Sequence, residues 1–275
     1  ARFMTKEPLR VLYISQEITP YLPETEISKI CRYLPQGAQE NGIEIRAFMP
    51  RYGHINERRN QLHEVQRLSG MNLIINDSDH QLIIKVASIQ AARMQVYFID
   101  NEDYFQRKNV FADENGQEFE DNEDRAIFFA RGVLETIKKL RWTPDVVHCH
   151  GWITSLAPLY IKRVYQDEPF FQKAKIVYSL YNDKFNNPFS ASFSEKLKFD
   201  GILNGDLEQI KNKEVSYNDL CKLAIDFSEA VIEGSESSDK SLVEYAKSKD
   251  KKILPFCGNE IDEYLNPYVD LYNAF

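Results

Sequence analysis

Four short stretches place residue types capable of chemistry just past segments that read as strands. In HCHGW (148–152) an extended backbone points His148 and His150 to one face and Cys149 to the other, bringing two imidazoles together at a strand end. A metal there would need a third ligand that the sequence does not obviously provide, so no metal site is assigned. A histidine in that place can instead bond a sugar hydroxyl or a backbone carbonyl. Packing is the simpler role for His148, whereas His150 is balanced between packing and function. In YNDKFNNPFSASF (181–193) amides and hydroxyls that pair with hydroxyl groups alternate with rings that cover C–H faces. That mixture suits a carbohydrate, although ordinary surface loops share it. In EGSESS (233–238) Ser235 can cap the next helix, with or without an anion on the adjacent amides.

The fourth stretch is ITPYLPETEISK (18–29), directly after the apolar RVLYIS (10–15). A phosphate-binding turn here would need glycines and free N–H groups. The chain supplies Pro23, which has no N–H, and the carboxylates Glu24 and Glu26, which repel phosphate at short range. The expected role of Pro23, Thr25 and Glu26 is therefore only to start a helix, whose positive end favours acidic residues. No GxGxxG, P-loop or GxSxG pattern occurs elsewhere in the chain.

These stretches need a scaffold that presents strand ends side by side. Short apolar runs at 10–15, 42–50, 145–150, 175–181, 230–235 and 252–256 alternate with helical patterns at about 24–41, 122–141, 152–166, 217–228 and 236–248. That alternation predicts an α/β fold, a Rossmann-like doubly wound parallel sheet, with ligands bound beyond the carboxyl ends of its strands. Three strand-like runs within about 60–101 leave no room for helices and read as an antiparallel β insertion. Asp121 or Asn122 can cap the helix at 122–141, and the charged stretch before it, 112–124, reads as a solvated loop. A single domain over 1–275 is the economical reading.

The chain has 275 residues and a formal charge of −8, with Lys and Arg scattered, which argues against a nucleic-acid partner. No apolar run approaches the length of a membrane span, and the first ten residues lack a signal-peptide core, so a cytoplasmic protein is expected. Cys31, Cys149, Cys221 and Cys257 have no CxxC spacing and are expected as reduced, mostly buried thiols.

Several segments, in order and spacing, resemble the N-terminal domain of bacterial glycogen synthase and plant starch synthase. These are retaining glucosyltransferases with two facing Rossmann-like domains, the GT-B architecture. RVLYISQEITPY is similar to the family's opening strand and its S-E-V-A-P-F turn, and MPRYG (49–53) to V-x-P-x-Y. YFIDNEDYFQR (97–107) is similar to Y-x-x-D-x-x-x-x-F-x-R. DNEDRAIFFARGVLE (121–135) resembles D-N-x-x-R-F-x-x-F-x-R-A-x-L-E, and PDVVHCHGWITSLAPLYIK (144–162) resembles P-D-V-V-H-x-H-D-W-x-x-x-L-x-P-x-Y. The resemblance implies one half of a GT-B enzyme. His150 would be its cleft histidine, and Tyr181, Asn182 and Trp152 would lie near bound sugar.

Departures from the family pattern shape the functional expectation. Where the family has K-T-G-G-L-G-D, this chain reads Pro23-Glu24-Thr25-Glu26-Ile27-Ser28-Lys29, a degenerate nucleotide-phosphate turn. The aspartate of H-x-H-D-W is Gly151, and Tyr181 replaces the histidine of T-x-H-N while Asn182 is kept. The tail 257–275, with CGNEIDEYLNP, resembles the family's interdomain segment, and no counterpart of the donor-binding second domain follows it. The chain is therefore expected to lack glucosyl transfer on its own, to require no cofactor, and to bind an α-glucan, a maltooligosaccharide or a protein. The alternative is the acceptor half of an active synthase that uses ADP-glucose or UDP-glucose, with the donor domain lying outside this sequence or supplied by another protein. A homodimer through the surface that faces the second domain in the family is a further expected partner arrangement.

Overall fold

The computed structural model describes residues 7–275. Its main sheet grows outward from β1 (Arg10–Ser15), in which every residue from Val11 to Ser15 is buried. Burying each Val, Leu or Ile of such a strand contributes roughly 1.5–3 kcal/mol. On one side β1 pairs with β2 (Glu44–Pro50), and on the other with β8 (Val146–His150). Beyond β8 lie β9 (Lys175–Leu180), β10 (Ala230–Glu233) and β11 (Lys252–Leu254). All of these pairings are parallel.

Beyond β2 the structure departs from the expected insertion. The third strand-like run, β7 (Met94–Asp100), pairs parallel with β2 and belongs to the core sheet. Only the next two strands, β6 (Ile83–Ile89) and β3 (His63–Glu64), continue the sheet antiparallel, while β4 (Asn72–Ile75) and β5 (Ser78–Gln81) form a separate hairpin. The crossover between β2 and β7 is thus made by strands and loops and contains no α-helix, which hid the parallel pairing from a reading based on strand–helix alternation.

Helices cover the sheet. Helix α1 (Glu26–Glu40) starts at Thr25, whose hydroxyl accepts from Ser28 N at 3.0 Å while Ser28 Oγ accepts from Thr25 N at 2.7 Å. This reciprocal cap satisfies two otherwise orphaned donors. Helix α2 (Asn122–Leu140) has no side-chain cap, because Asp121 is engaged by the Arg107 guanidinium. The helix expected at 152–166 is a short 3-10 turn, Trp152–Thr154, followed by α3 (Ala157–Arg163). After a short helix, α4 (Phe193–Lys196), come α5 (Tyr217–Asp226) and α6 (Lys240–Ser248). Asp239 caps α6, and the Ser235 hydroxyl bonds only to Ser237, through its N–H and its hydroxyl, so the expected cap at Ser235 is corrected.

A last helix, α7 (Ile261–Asn273), occupies the tail and packs on α1. The tail was expected only as an interdomain-type segment, with no helix assigned to it. Its stripe of Tyr264, Tyr268, Leu271 and Tyr272 follows helical spacing and is buried. Among the described residues, no helix is long and apolar enough to cross a membrane. Cys31, Cys149 and Cys221 are buried, and Cys257 is half-buried.

Candidate functional site

The carboxyl ends of β1, β8, β9 and β10 converge on a cleft, and side chains from each strand end meet there. His148 and His150 do point to one face, with ring centroids 3.9 Å apart. That face is covered by α7. His148 Nδ1 lies 2.6 Å from Tyr272 OH, and its Nε2 lies 2.7 Å from Ser179 Oγ. Burial holds the His148 imidazole well below its ordinary range, with the neighbouring His150 acting in the same direction. His148 is therefore a satisfied core histidine.

His150 is equally closed off. It has no exposed surface, its Nδ1 lies 2.6 Å from Tyr181 OH, and its Nε2 has no partner among the described residues. Burial lowers its pKa to about 3, so the ring is neutral at neutral pH. Tyr181 stands between His150 and the cleft, and the ring itself presses against Gly234. A Cβ built at Gly234 would come within 2.6 Å of the Tyr181 ring, so glycine there is what lets β10 pass so closely.

The cleft proper contains a cavity of about 410 Å³ lined by Trp152, Tyr181, Asn182, Thr25 and Glu26, so five of the seven expected site residues meet in one place. Pro23 lies outside it, where its carbonyl accepts from Ser28 Oγ at 3.0 Å. Trp152 is held at both ends. Its ring packs against Phe111 at 4.8 Å and Phe185 at 5.2 Å between centroids, and its N–H donates to Asp183 Oδ2 at 2.8 Å.

That last bond explains how the cleft tolerates Gly151. The 3-10 turn at Trp152–Thr154 has Gly151 at its cap position with φ of 99°, where no side chain is present to satisfy the turn's amides. Two remote side chains do so instead, Asp183 on Trp152 N and Gln16 Oε1 on Ile153 N at 3.2 Å. A Cβ at Gly151 would sit 2.5 Å from Gln16 Cβ, so the glycine and the glutamine occupy one space.

Gln16, Glu17, Asp183, Phe111, Phe185 and Glu118 also line this cavity; Asp183 and Phe185 lie within the stretch 181–193 singled out for a carbohydrate without being named there, and sequence reasoning missed the other four. Gln16, Glu17 and Asp183 stand just past strands β1 and β9, where the strand-end rule could have found them. Glu118 carried no signal, since the charged stretch 112–124 reads as solvated. In the structure that stretch docks: Glu118 accepts from Asn186 N and Asn187 N, and Glu123 accepts from Ser190 N and Ser190 Oγ, each at 2.8 Å.

Electrostatically the cleft is acidic. Burial raises the pKa of both Glu17 and Asp183. Hydrogen bonds from Thr25 to Glu17, and from Tyr217 and Trp152 to Asp183, oppose that rise. The Thr25 hydroxyl that would face a phosphate donates to Glu17. A second cavity of about 700 Å³ shares Thr25 and Glu26 with the first and is lined by Glu24, Glu236 and Glu260. The nearby lysines are already paired, Lys29 with Glu260 and Lys184 with Asp239, each at 3.0 Å. The arrangement suits hydroxyl-rich neutral ligands and disfavours a diphosphate.

Comparisons with known proteins agree with this architecture. Residues 10–260 match the model of the starch synthase catalytic domain. Glycogen synthase of Chlorobium limicola is 39% identical over 180 residues, which cover 65% of this chain and 37% of that protein. Glycogen synthase of Chlorobaculum parvum is 34% identical over 223 residues, covering 79% of this chain and 46% of that protein. The chain thus spans less than half the length of these relatives. In fold it is similar to the catalytic domain of starch synthase IV from Arabidopsis thaliana, solved with ADP and acarbose, at a TM-score of 0.72 and 18% identity over 90% of this chain and 51% of that one. With the family model matched across most of its length and a parallel sheet shared with a GT-B half, this chain belongs to the starch synthase catalytic domain family.

Proposed function

We propose that this chain is the acceptor-side domain of a glycogen synthase-related protein, that it binds α-glucan in the aromatic and carboxylate-lined cavity at Trp152, and that it does not transfer glucose by itself. The observation that carries this reading is the composition of the cleft. Aromatic rings, amides and carboxylates surround the cavity, and both adjoining lysines are tied in ion pairs. Stabilising a departing diphosphate requires positive charge or free N–H donors at the developing charge. The turn at Pro23–Glu26 offers carboxylates there, and its Thr25 hydroxyl is spent on Glu17. The sealed His150 supports the same reading, since a side chain without exposure cannot meet a sugar.

Calorimetry with maltooligosaccharides and with ADP-glucose and UDP-glucose tests the proposal. Sugar binding without nucleotide binding is expected, and saturable affinity for either nucleotide sugar would overturn it. A second reading is favoured by the identity to glycogen synthases of which the matched segment covers only 37% and 46%. The chain would then be the acceptor half of an active enzyme, with a donor domain elsewhere in the protein or in a partner. Incorporation of labelled glucose into glycogen only when a donor-domain protein is added would select it. Cytoplasmic residence and self-association are part of the proposal, checked by fractionation and by sedimentation.

A further inference from the structure

The cavity at Trp152 is one of three in a row. It shares Thr25 and Glu26 with the 700 Å³ cavity on one side, and Glu118 and Phe185 with a cavity of about 570 Å³ on the other. Between the latter two the partition is thin. Glu118, a half-buried residue, accepts from Asn186 N at 2.9 Å and from Asn187 N at 2.7 Å, drawing residues 184–188 across the groove. The ends of that segment are held independently. Asp183 accepts from Trp152 N at 2.8 Å and from Tyr217 OH at 2.5 Å, while Phe189 pairs with Val215 and Ser190 is bound by Glu123. Between those ends Lys184 pairs with Asp239 and the Phe185 ring packs on Trp152 and Phe189, so releasing Glu118 would free Asn186 and Asn187 and leave the rest of the segment fixed.

We propose that the cavities are segments of one groove for a single linear chain of neutral sugars, and that Glu118 is a strap that sets how many units of that chain can bind. This deepens the glucan-binding reading and rests on it. Asn186 N and Asn187 N, once freed, are donors that the hydroxyl and ring oxygens of a sugar can replace the carboxylate in accepting. Phe185, stacked on Phe189 with centroids 4.7 Å apart and an interplanar angle of 8°, supplies an apolar face at the same partition. With the strap closed a bound oligosaccharide ends at Phe185. With it open the chain continues toward α2.

The test is calorimetry of the full chain with maltose, maltotriose and maltoheptaose, on the unmodified protein and on Glu118→Ala and Glu118→Gln, with amide hydrogen exchange at Asn186 and Asn187. In the unmodified protein maltotriose and maltoheptaose are expected to bind within about twofold of each other. In Glu118→Ala maltoheptaose gains about tenfold over maltotriose, with Glu118→Gln between. Exchange at Asn186 and Asn187 speeds up in Glu118→Ala, while exchange at the strands of the sheet does not. Binding of maltoheptaose only by Glu118→Ala would also support the strap. An unchanged chain-length profile in Glu118→Ala, or equally fast exchange at both amides before and after substitution, overturns it while leaving the glucan-binding reading standing. Absence of binding by all three proteins overturns both.

Discussion

The Tyr181 hydroxyl lies 2.6 Å from Nδ1 of His150, and this contact closes the floor of the cleft. Both groups are buried, so neither has water to fall back on when the other is removed. The pair joins β8 to the end of β9 and holds the Tyr181 ring beneath the cavity at Trp152.

Tyr181→Phe should therefore destabilise the fold by roughly 1–3 kcal/mol, because it leaves both ring nitrogens of His150 buried without a protein partner. Chemical denaturation measures the loss. An unchanged midpoint would show that the hydroxyl contributes nothing to His150.

Acid should weaken the fold through the buried histidines. His150 has a folded pKa of about 3, below its ordinary value, so the unfolded chain binds a proton that the folded one refuses. Stability is then lost as pH falls below about 6.5, by up to about 1.4 kcal/mol per pH unit for each such group. Glu17 and Asp183, whose pKa values are raised, act in the opposite sense, gaining stability as pH falls through the carboxylate range. Replacing His150 by Gln should flatten the pH dependence between pH 6.5 and 5, and an identical slope in the variant would rule the mechanism out.

Gly151→Ala should cost about 1–3 kcal/mol, since its backbone is left-handed and its Cβ would meet Gln16 at 2.5 Å. Gln16→Ala alone should cost less, having lost the bond from Ile153 N and the side-chain bond to Asp183 without introducing a clash. Because Ala keeps the Gln16 Cβ, the double variant relieves only the contacts to Oε1 and Cδ at 2.7 and 2.8 Å and should recover part of the steric cost, whereas Gly151→Ala with Gln16→Gly also removes the 2.5 Å contact and should show a coupling of about 1 kcal/mol in a double-mutant cycle. Strict additivity would mean that the two residues do not share a space.

Asp183→Asn should loosen the wall at Trp152. With the Asn Oδ1 on Trp152 N, its Nδ2 faces the Tyr217 hydroxyl, which can then only accept from it and is left Tyr181 O at 3.2 Å as its own acceptor, so two bonds to a carboxylate are replaced by weaker neutral ones. A loss of about 1–3 kcal/mol in stability is expected, together with weaker maltooligosaccharide binding and a shift in Trp152 fluorescence, read in a Trp142→Phe background. Unaltered fluorescence would show that Asp183 does not position the indole.

Much of the architecture was legible because it depends on local pattern. The apolar runs of β1, β8 and β9 are buried along nearly their whole length, as strands of a covered parallel sheet must be, and Thr25 with Ser28 forms the helix start that the acidic stretch suggested. β7 was misassigned because its parallel partner, β2, lies across a crossover without a helix. Helix α7 was not assigned, although its tyrosines follow helical spacing. At the Trp152 cavity, Trp152, Tyr181 and Asn182 lie in stretches singled out just past strand ends and named from the resemblance, whereas Glu118 was not named because a carboxylate in a charged loop looks the same whether solvated or docked.

The sequence by itself determined the order of strands and helices, the family, and the loss of a glycine-rich phosphate turn, because each is written in residue type and near-neighbour spacing. Tertiary structure alone decided that Tyr181 and α7 enclose the two histidines, that Asp183 and Gln16 replace a cap missing at Gly151, and that Glu118 crosses the groove. The physical reason is distance along the chain. Glu118 lies 69 residues from Asn187, and Gln16 lies 137 from Ile153. Such pairs meet only after the sheet has formed, and no local rule records which distant donor a buried acceptor will find.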